Sequence, residues 1–261
     1  MLLSLVDPGD DFPKPEPGAS RLGICLSGGG FRASFFHIGV LGRLAQRGLL
    51  RRLEVLSTVS GGSIIGALYF LHVKRLLESR PDAEVTDQDF VDIVARMERD
   101  VLAAVQKNVV MLTFLNPIKT IRMALPSYSR SDRVGELYDE LFYRPVFGGD
   151  RPVRMRDLSI TPMGTPQFDL RTMNAGRRAP VPMLQLNATT LNTGRCWRFG
   201  AHRMGEPPAR DPVSAEIDKR TRLRRAPRYA ELPARLGDLP LGIAVAASAG
   251  VPGLLPVCPS R

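Results

Sequence analysis

Residues 22–33 read LGICLSGGGFRA, and residues 53–65 read LEVLSTVSGGSII. Each stretch starts with a short apolar run typical of a buried strand, passes through a glycine-rich turn and leads into apolar residues at helical spacing. The two strands are predicted over residues 22–26 and 53–59, and the two helices over residues 33–47 and 63–79. The order strand, helix, strand, helix predicts an α/β fold in which helices pack on a parallel sheet.

The middle of the chain is predicted to be helical. Apolar residues at helical spacing indicate helices around residues 90–105 and 134–142. Residues 109–125 are also apolar, but Pro117 interrupts them, which predicts a broken helix. The candidate N-caps are Thr86 or Asp87 for the first helix and Ser131 or Asp132 for the helix at 134–142.

Prolines dominate the last part of the chain. Fifteen of the 22 prolines lie at or after residue 145, so long regular helices are not expected there. Two strands are predicted at residues 183–189 and 195–199, joined by a turn at residues 192–194. A helix of small residues is predicted over residues 241–249, ended by a glycine and a proline.

The composition is that of a globular protein. The chain has 261 residues, of which 44% are hydrophobic and 24% charged, which excludes collagen, coiled coil and wholesale disorder. No apolar run is long enough to span a membrane, and the N-terminus lacks the basic stretch of a secretory signal. Residues 1–20 hold four prolines and are predicted to form an irregular segment before a single domain over residues 21–261.

Basic residues outnumber acidic ones by 36 to 26, which gives a net charge of +10. A basic surface attracts polyanions, so an anionic membrane surface is an expected partner, and binding should weaken with salt. Residues 219–228 contain six basic residues and no acidic one; they form either a solvated loop or a membrane contact. No aromatic residue lies within this run, so a nucleic-acid partner is not expected.

The three cysteines, Cys25, Cys196 and Cys258, form no C-x-x-C pair. An odd number of widely spaced cysteines predicts free thiols in a reducing compartment and offers no zinc site. We therefore expect a cytoplasmic protein. Its positive charge would also allow peripheral attachment to an anionic membrane.

The turn at residues 58–62, TVSGG, resembles a nucleophile elbow, in which a serine sits on a sharp strand-to-helix turn with its hydroxyl exposed. Such a turn needs small neighbours because the strand and the helix approach closely. Gly62 meets this requirement, whereas Thr58 stands where the G-x-S-x-G pattern has its first glycine, so the match is partial. The plainer interpretation is a glycine-rich turn with Ser60 as a helix cap.

The other turn offers consecutive backbone N–H groups at a helix N-terminus. Gly28, Gly29 and Gly30 would form a nest that stabilises an oxyanion, and Arg32 would add positive charge. The spacing G-x-G-x-x-A also matches a dinucleotide fingerprint, which requires an acidic residue at the end of the second strand. Glu54 lies at the start of that strand instead.

Taken together, the segments LSGGGFRA, HIGVL and LSTVSGGS, at residues 26–33, 37–41 and 56–63, resemble the patatin-like phospholipase family. Further similar segments are SDR at 131–133, NAT at 187–189 and AASAGVP at 246–252. The resemblance implies a three-layer α/β fold with a mostly parallel sheet and helices on both faces. It also implies a Ser–Asp dyad with Ser60 as nucleophile, an oxyanion hole formed by Gly28, Gly29, Gly30 and Arg32, and no metal or organic cofactor.

The family's second catalytic residue is an aspartate in Asp-Gly-Gly or Asp-Gly-Ala, and this sequence contains no Asp-Gly dipeptide. We expect the natural protein to continue past Arg261 and to carry that motif, and we expect this chain alone to be nearly inactive. Asp211 and Asp238 are poor substitutes, because Pro or Leu follows them. The three histidines offer no late base for a triad; His37 is expected to be buried and structural, and His72 to pack or face solvent.

The hypothesis that best fits these observations is a lipid acyl hydrolase of the phospholipase A or esterase type, with a lipid or phospholipid as substrate. Two alternatives stay open at this point. One is a lipid-binding protein of the same fold without catalysis, and the other is a nucleotide-binding α/β protein that uses the first glycine turn.

Overall fold

The structure is a computed structural model that describes residues 22–106, 128–190, 194–206 and 228–250. The predictions for the N-terminal segment, for residues 109–125 and for the basic run up to residue 227 lie outside these residues, as do Asp211 and Cys258.

A mixed five-stranded sheet forms the centre of the described fold. The strands lie side by side in chain order: β1 (Leu22–Leu26), β2 (Leu53–Val59), β3 (Met183–Thr189), β4 (Cys196–Phe199) and β5 (Met204–Gly205). The first three strands are parallel, which confirms the predicted α/β fold, and β4 and β5 are antiparallel to their neighbours. The short connection from β3 to β4 permits only antiparallel pairing.

Three long helices accompany the first two strands: α1 (Gly30–Gln46), α2 (Gly61–Ser79) and α3 (Asp87–Gln106). The predicted starts of α1 and α2, at residues 33 and 63, were too late. Both helices begin inside the glycine turns, because the first N–H groups of a helix need no partner within it and glycine is tolerated there. The first eleven residues of α2 are all buried, so this helix is the central one.

The next helical segment changes its winding along its length. It runs as α4 (Arg130–Tyr138), continues as a π-helical turn (Asp139–Tyr143) and ends as α5 (Arg144–Phe147). Its cap is Ser129 rather than the predicted Ser131 or Asp132: the Ser129 hydroxyl accepts the Asp132 N–H, and the Asp132 carboxylate accepts the Ser129 N–H. This reciprocal capping box explains why the helix starts earlier than its apolar pattern.

The remaining elements are short, as the proline content predicted. They are α6 (Leu170–Met173), α7 (Ala234–Gly237), α8 (Leu241–Ala249) and 3₁₀ turns at Leu50–Arg52, Asp82–Glu84, Met155–Leu158 and Tyr229–Glu231. The helix α8 has the predicted bounds.

Two glycines let α4 and α8 cross at very short range. A Cβ atom on Gly242 would overlap the carbonyl oxygen of Gly135, and one on Gly135 would lie 3.0 Å from the carbonyl oxygen of Gly242. The helix α8 also packs against β3 and α2. This packing brings the C-terminal end of α8 to the junction of β2 and α2.

Candidate active site

Ser60 lies at the junction between β2 and α2, in a backbone conformation that serine rarely adopts. Its φ is 54° and its ψ is −123°, and it is the one non-glycine residue with positive φ in the described residues. Such a conformation costs about 1–3 kcal/mol and persists only where the surrounding structure holds it. The residue is half-buried, so its side chain reaches the surface.

Glycines allow the chain to turn this sharply. A Cβ atom on Gly61 would overlap the Gly30 carbonyl group, and one on Gly62 would overlap the Leu26 carbonyl group. The start of α2 therefore lies directly on β1 and on the first glycine turn. Thr58, which departs from the G-x-S-x-G pattern, is accommodated because Gly66 leaves room for its methyl group.

The first glycine turn lies beside Ser60. A Cβ atom on Gly28 would sit 3.1 Å from the Ser60 Cβ atom and 3.7 Å from its Oγ atom. Gly29 and Gly30 have φ angles of 137° and 61°, a combination that favours glycine. Within the described parts of the chain, the N–H groups of Gly28, Gly29 and Gly30 donate to no acceptor. The sequence-predicted donors and the predicted nucleophile are thus neighbours.

Two side chains of α1 hold the two turns together. The Ser34 hydroxyl is fully buried and lies 2.9 Å from the Gly61 carbonyl oxygen and 3.2 Å from the Gly30 carbonyl oxygen. The buried His37 donates its Nε2–H to the Ser27 carbonyl oxygen at 2.9 Å. His37 is therefore structural, as its position in the sequence suggested, while the Arg32 side chain is exposed.

A chain of buried hydroxyl groups, which the sequence analysis missed, runs beneath Ser60. The Ser60 N–H donates to Ser248 Oγ at 3.0 Å, and Ser248 Oγ lies 2.7 Å from Ser63 Oγ. Ser63 Oγ in turn lies 2.9 Å from Thr58 Oγ1. Ser248 comes from α8, so part of a segment that carries the family resemblance supports the backbone of the predicted nucleophile.

The acceptors at the end of this chain fix the direction of its hydrogen bonds. Ser248 donates to the Asn187 carbonyl oxygen at 2.6 Å. Because its one hydroxyl proton is used there, Ser248 must accept both the Ser60 N–H and the Ser63 hydroxyl. The Asn187 side chain also donates, to the Thr58 carbonyl oxygen at 2.9 Å and to Ser57 Oγ at 3.0 Å. Strands β2 and β3 are thereby joined directly below the turn.

The other titratable candidates lie away from Ser60. His72 is half-buried on α2, and burial, followed by Arg96 and Arg75, lowers its pKa to about 4. Asp238 pairs with Arg154 at 2.7 Å and with Arg156 at 2.9 Å, which is a structural role. Glu54 is the second residue of β2, far from the end of the strand where a dinucleotide ribose would bind.

The described residues supply a candidate nucleophile and hydrogen-bond donors, but they place no candidate general base beside Ser60. No carboxylate or imidazole in residues 22–106, 128–190, 194–206 or 228–250 forms a hydrogen bond with Ser60. The same residues contain no group of three or more potential metal ligands. None of their helices has the length and apolar character needed to cross a bilayer. A half-buried serine beside N–H groups that have no acceptor among the described residues is an arrangement suited to acyl transfer.

Comparison with known proteins gives one family match. The model of the family described as Patatin-like phospholipase matches residues 24–257. Among solved structures, the chain is similar to "Crystal structure of type III effector protein ExoU (exoU)", with 16% sequence identity and a TM-score of 0.34. The likeness covers 90% of this chain and 41% of that one, so this chain spans less than half of its length. No curated protein matches the chain.

Proposed function

Because the chain belongs to the patatin-like phospholipase family, we propose that it hydrolyses carboxylic ester bonds of lipids with Ser60 as the nucleophile. Membership of this family supports lipid ester hydrolysis as the general activity. The finer assignment is ours: Gly28, Gly29, Gly30 and Arg32 stabilise the oxyanion, and the substrate is a lipid or phospholipid.

The proposed reaction has two steps. Ser60 Oγ attacks the ester carbonyl carbon, its proton passes to a base, and the carbonyl oxygen becomes an oxyanion held by the N–H groups of the glycine turn. The C–O bond to the alcohol then breaks, and the alcohol leaves with a proton. Water next attacks the acyl-enzyme, which releases a fatty acid and restores the Ser60 hydroxyl.

The base in this scheme is the family's aspartate, which no residue of this sequence matches. For this reason the experiments use the natural protein together with any sequence that follows residue 261.

The observation that carries the proposal is the strained backbone of Ser60 beside the free donors of the glycine turn. A capping serine would accept an N–H group at the start of α2, yet Ser60 forms no side-chain cap with that helix. Strain of this size at an exposed nucleophile is typical of functional sites. The short distance of 3.7 Å between Ser60 Oγ and the Gly28 Cβ position leaves the donors within reach of an oxyanion.

A fluorophosphonate probe tests the proposal directly. We expect covalent labelling of the natural protein, with the adduct located on Ser60 by peptide mass spectrometry. Ser60→Ala should abolish both labelling and release of fatty acid from phospholipid vesicles. Ser79→Ala is the matched control, because Ser79 is an exposed serine on the same helix whose hydroxyl contacts only the Leu76 carbonyl oxygen. Labelling that persists in Ser60→Ala, or a wild-type protein that binds lipid without being labelled, would refute the assignment of Ser60 as the nucleophile.

A further inference from the structure

The exposed side of α1 forms a continuous line of residues that begins next to the glycine turn. Arg32, Phe35, Phe36, Gly39 and Arg43 are all exposed, and their spacing of three, four, seven and eleven residues from Arg32 places them in one row. We call this row the α1 face. The opposite side of the helix is buried against the rest of the fold through Ser34, His37, Ile38, Leu41 and Ala45.

The α1 face exposes two neighbouring aromatic rings. The Phe36 side chain is 68% exposed and the Phe35 side chain is 37% exposed. A Cβ atom on Gly39 would meet nothing within 4 Å, so the middle of the face is open in the described structure. Val59, which precedes Ser60, is also exposed, at 39%. Adjacent exposed phenylalanines on a surface helix indicate an interaction surface.

The charge of α1 indicates what this surface binds. The helix contains no aspartate or glutamate, while Arg32 and Arg43 lie on the α1 face and Arg47 follows its last turn. In the described residues, none of these arginines pairs with a carboxylate. Aromatic side chains flanked by arginines on one side of a helix fit an anionic lipid interface, in which the rings enter the acyl region and the guanidinium groups contact phosphates.

We propose that the α1 face binds an anionic phospholipid surface and thereby places the candidate active site against that surface. Phe35 and Phe36 lie five and six residues after Gly30, which is about 8–9 Å along the helix axis. Rings that enter the lipid this close to Gly30 bring the glycine turn to the membrane surface, near the headgroup region where the ester bonds lie. The choice of lipid as the partner rests on the proposed function, whereas the existence of the surface rests on exposure and charge.

Vesicle co-sedimentation tests the proposal without any need for catalysis. The protein carries Ser60→Ala so that the lipid is not hydrolysed, and the vesicles are phosphatidylglycerol with phosphatidylcholine, or phosphatidylcholine alone. Loss of both rings in Phe35→Ser/Phe36→Ser should weaken binding to anionic vesicles by about tenfold or more. Gly39→Glu places a negative charge in open space at the centre of the α1 face and should also weaken binding.

Leu102→Ser and Met163→Ser are the matched controls, because these residues are exposed to 43% and 49% but lie outside α1, in α3 and in the segment after the 3₁₀ turn at Met155–Leu158. Both should bind anionic vesicles like the parent protein. Phe36→Trp, in a Trp197→Phe background, should give a blue-shifted tryptophan emission only when anionic vesicles are added.

Three results would overturn the proposal. The first is equal binding by the parent protein and Phe35→Ser/Phe36→Ser. The second is blue-shifted emission from Phe36→Trp before lipid is added, because another part of the protein then covers the face. The third is a dimer in light scattering that Phe35→Ser/Phe36→Ser abolishes, because a second copy is then the partner. The vesicle measurement reports binding and the probe reports reactivity. A negative result for the α1 face therefore does not bear on Ser60 as nucleophile, and an unlabelled Ser60 does not affect the binding measurement.

Discussion

Ser60 is held in its strained conformation by a residue that lies 188 positions further along the chain, Ser248. The Ser248 hydroxyl accepts the Ser60 N–H and is itself fixed by the Asn187 carbonyl oxygen. A buried N–H group without this acceptor would relax toward another partner, and the backbone angle would relax with it. Ser248 is therefore a positioning residue for the proposed nucleophile.

We expect Ser248→Ala to slow fluorophosphonate labelling by about fivefold, since one net hydrogen bond contributes about 1 kcal/mol. The measurement is the rate constant of labelling at saturating probe, compared with the apparent affinity for the probe, which should change little. Ser63→Ala is the control because it removes a buried hydroxyl of the same chain that does not contact Ser60. Equal losses in the two variants would mean that the hydroxyl chain is merely structural.

A second prediction at the residue scale concerns His72. Burial lowers its pKa from the ordinary 6.5 to about 4, so the unfolded chain binds more protons than the folded one between these values. The stability contributed by neutral His72 is fully present above pH 6.5 and is lost as the pH falls toward 4. We expect His72→Gln to remove about 1–2 kcal/mol of the stability difference between pH 7 and pH 5. Urea unfolding at the two pH values measures it; an unchanged difference would contradict the burial of the imidazole.

At the scale of elements, the crossing of α4 and α8 positions the end of α8. Gly242→Ala would drive a methyl group into the Gly135 carbonyl group, and we expect a loss of roughly 1–3 kcal/mol in unfolding free energy. Because α8 carries Ser248, labelling of Ser60 should slow as well. Gly39→Ala is the control: it is also a helical glycine, but it has open space, so it should stabilise α1 by about 0.5–1 kcal/mol. Thermal unfolding that is alike for both would argue against the close crossing.

The elements also show what a sequence can predict. Strands β1, β2 and β3 and the helix α8 have their predicted bounds, because short apolar runs between glycine or proline signals leave one interpretation. The starts of α1 and α2 were wrong, because glycine was taken as a breaker at a position where a helix tolerates it. The two-residue β5 was missed, since two residues carry no periodicity.

The sequence likewise predicted some residues of the candidate site and missed others. Ser60 and the glycine turn were found because local spacing encodes a sharp turn and a row of N–H groups. Asn187 and Ser248 were quoted as parts of family segments, but their role was missed. Their contact with β2 depends on β3 and α8 docking beside it, and no local pattern encodes such long-range pairing.

For the whole molecule, the net charge of +10 predicts salt-sensitive attachment to anionic vesicles. Each basic residue near such a surface contributes about 1 kcal/mol, so changing Arg222, Arg224 and Arg225 to Gln should weaken binding by about a hundredfold if the run at 219–228 takes part. The comparison is made near 0.1 M and near 1 M salt, where the Debye length is about 10 Å and about 3 Å. Unchanged binding would identify the run as a solvated loop and leave the α1 face as the lipid contact.

The long separation between Ser60 and Ser248 in the chain delays formation of their hydrogen bond during synthesis. A ribosome adds about 5–20 residues per second, so the 188 residues that separate the partners take about 10–40 s to make. Throughout that interval the nascent chain already contains Ser60 but lacks the residue that holds its backbone. Until α8 has emerged and docked, the proposed nucleophile therefore lacks the hydrogen bond that positions its backbone.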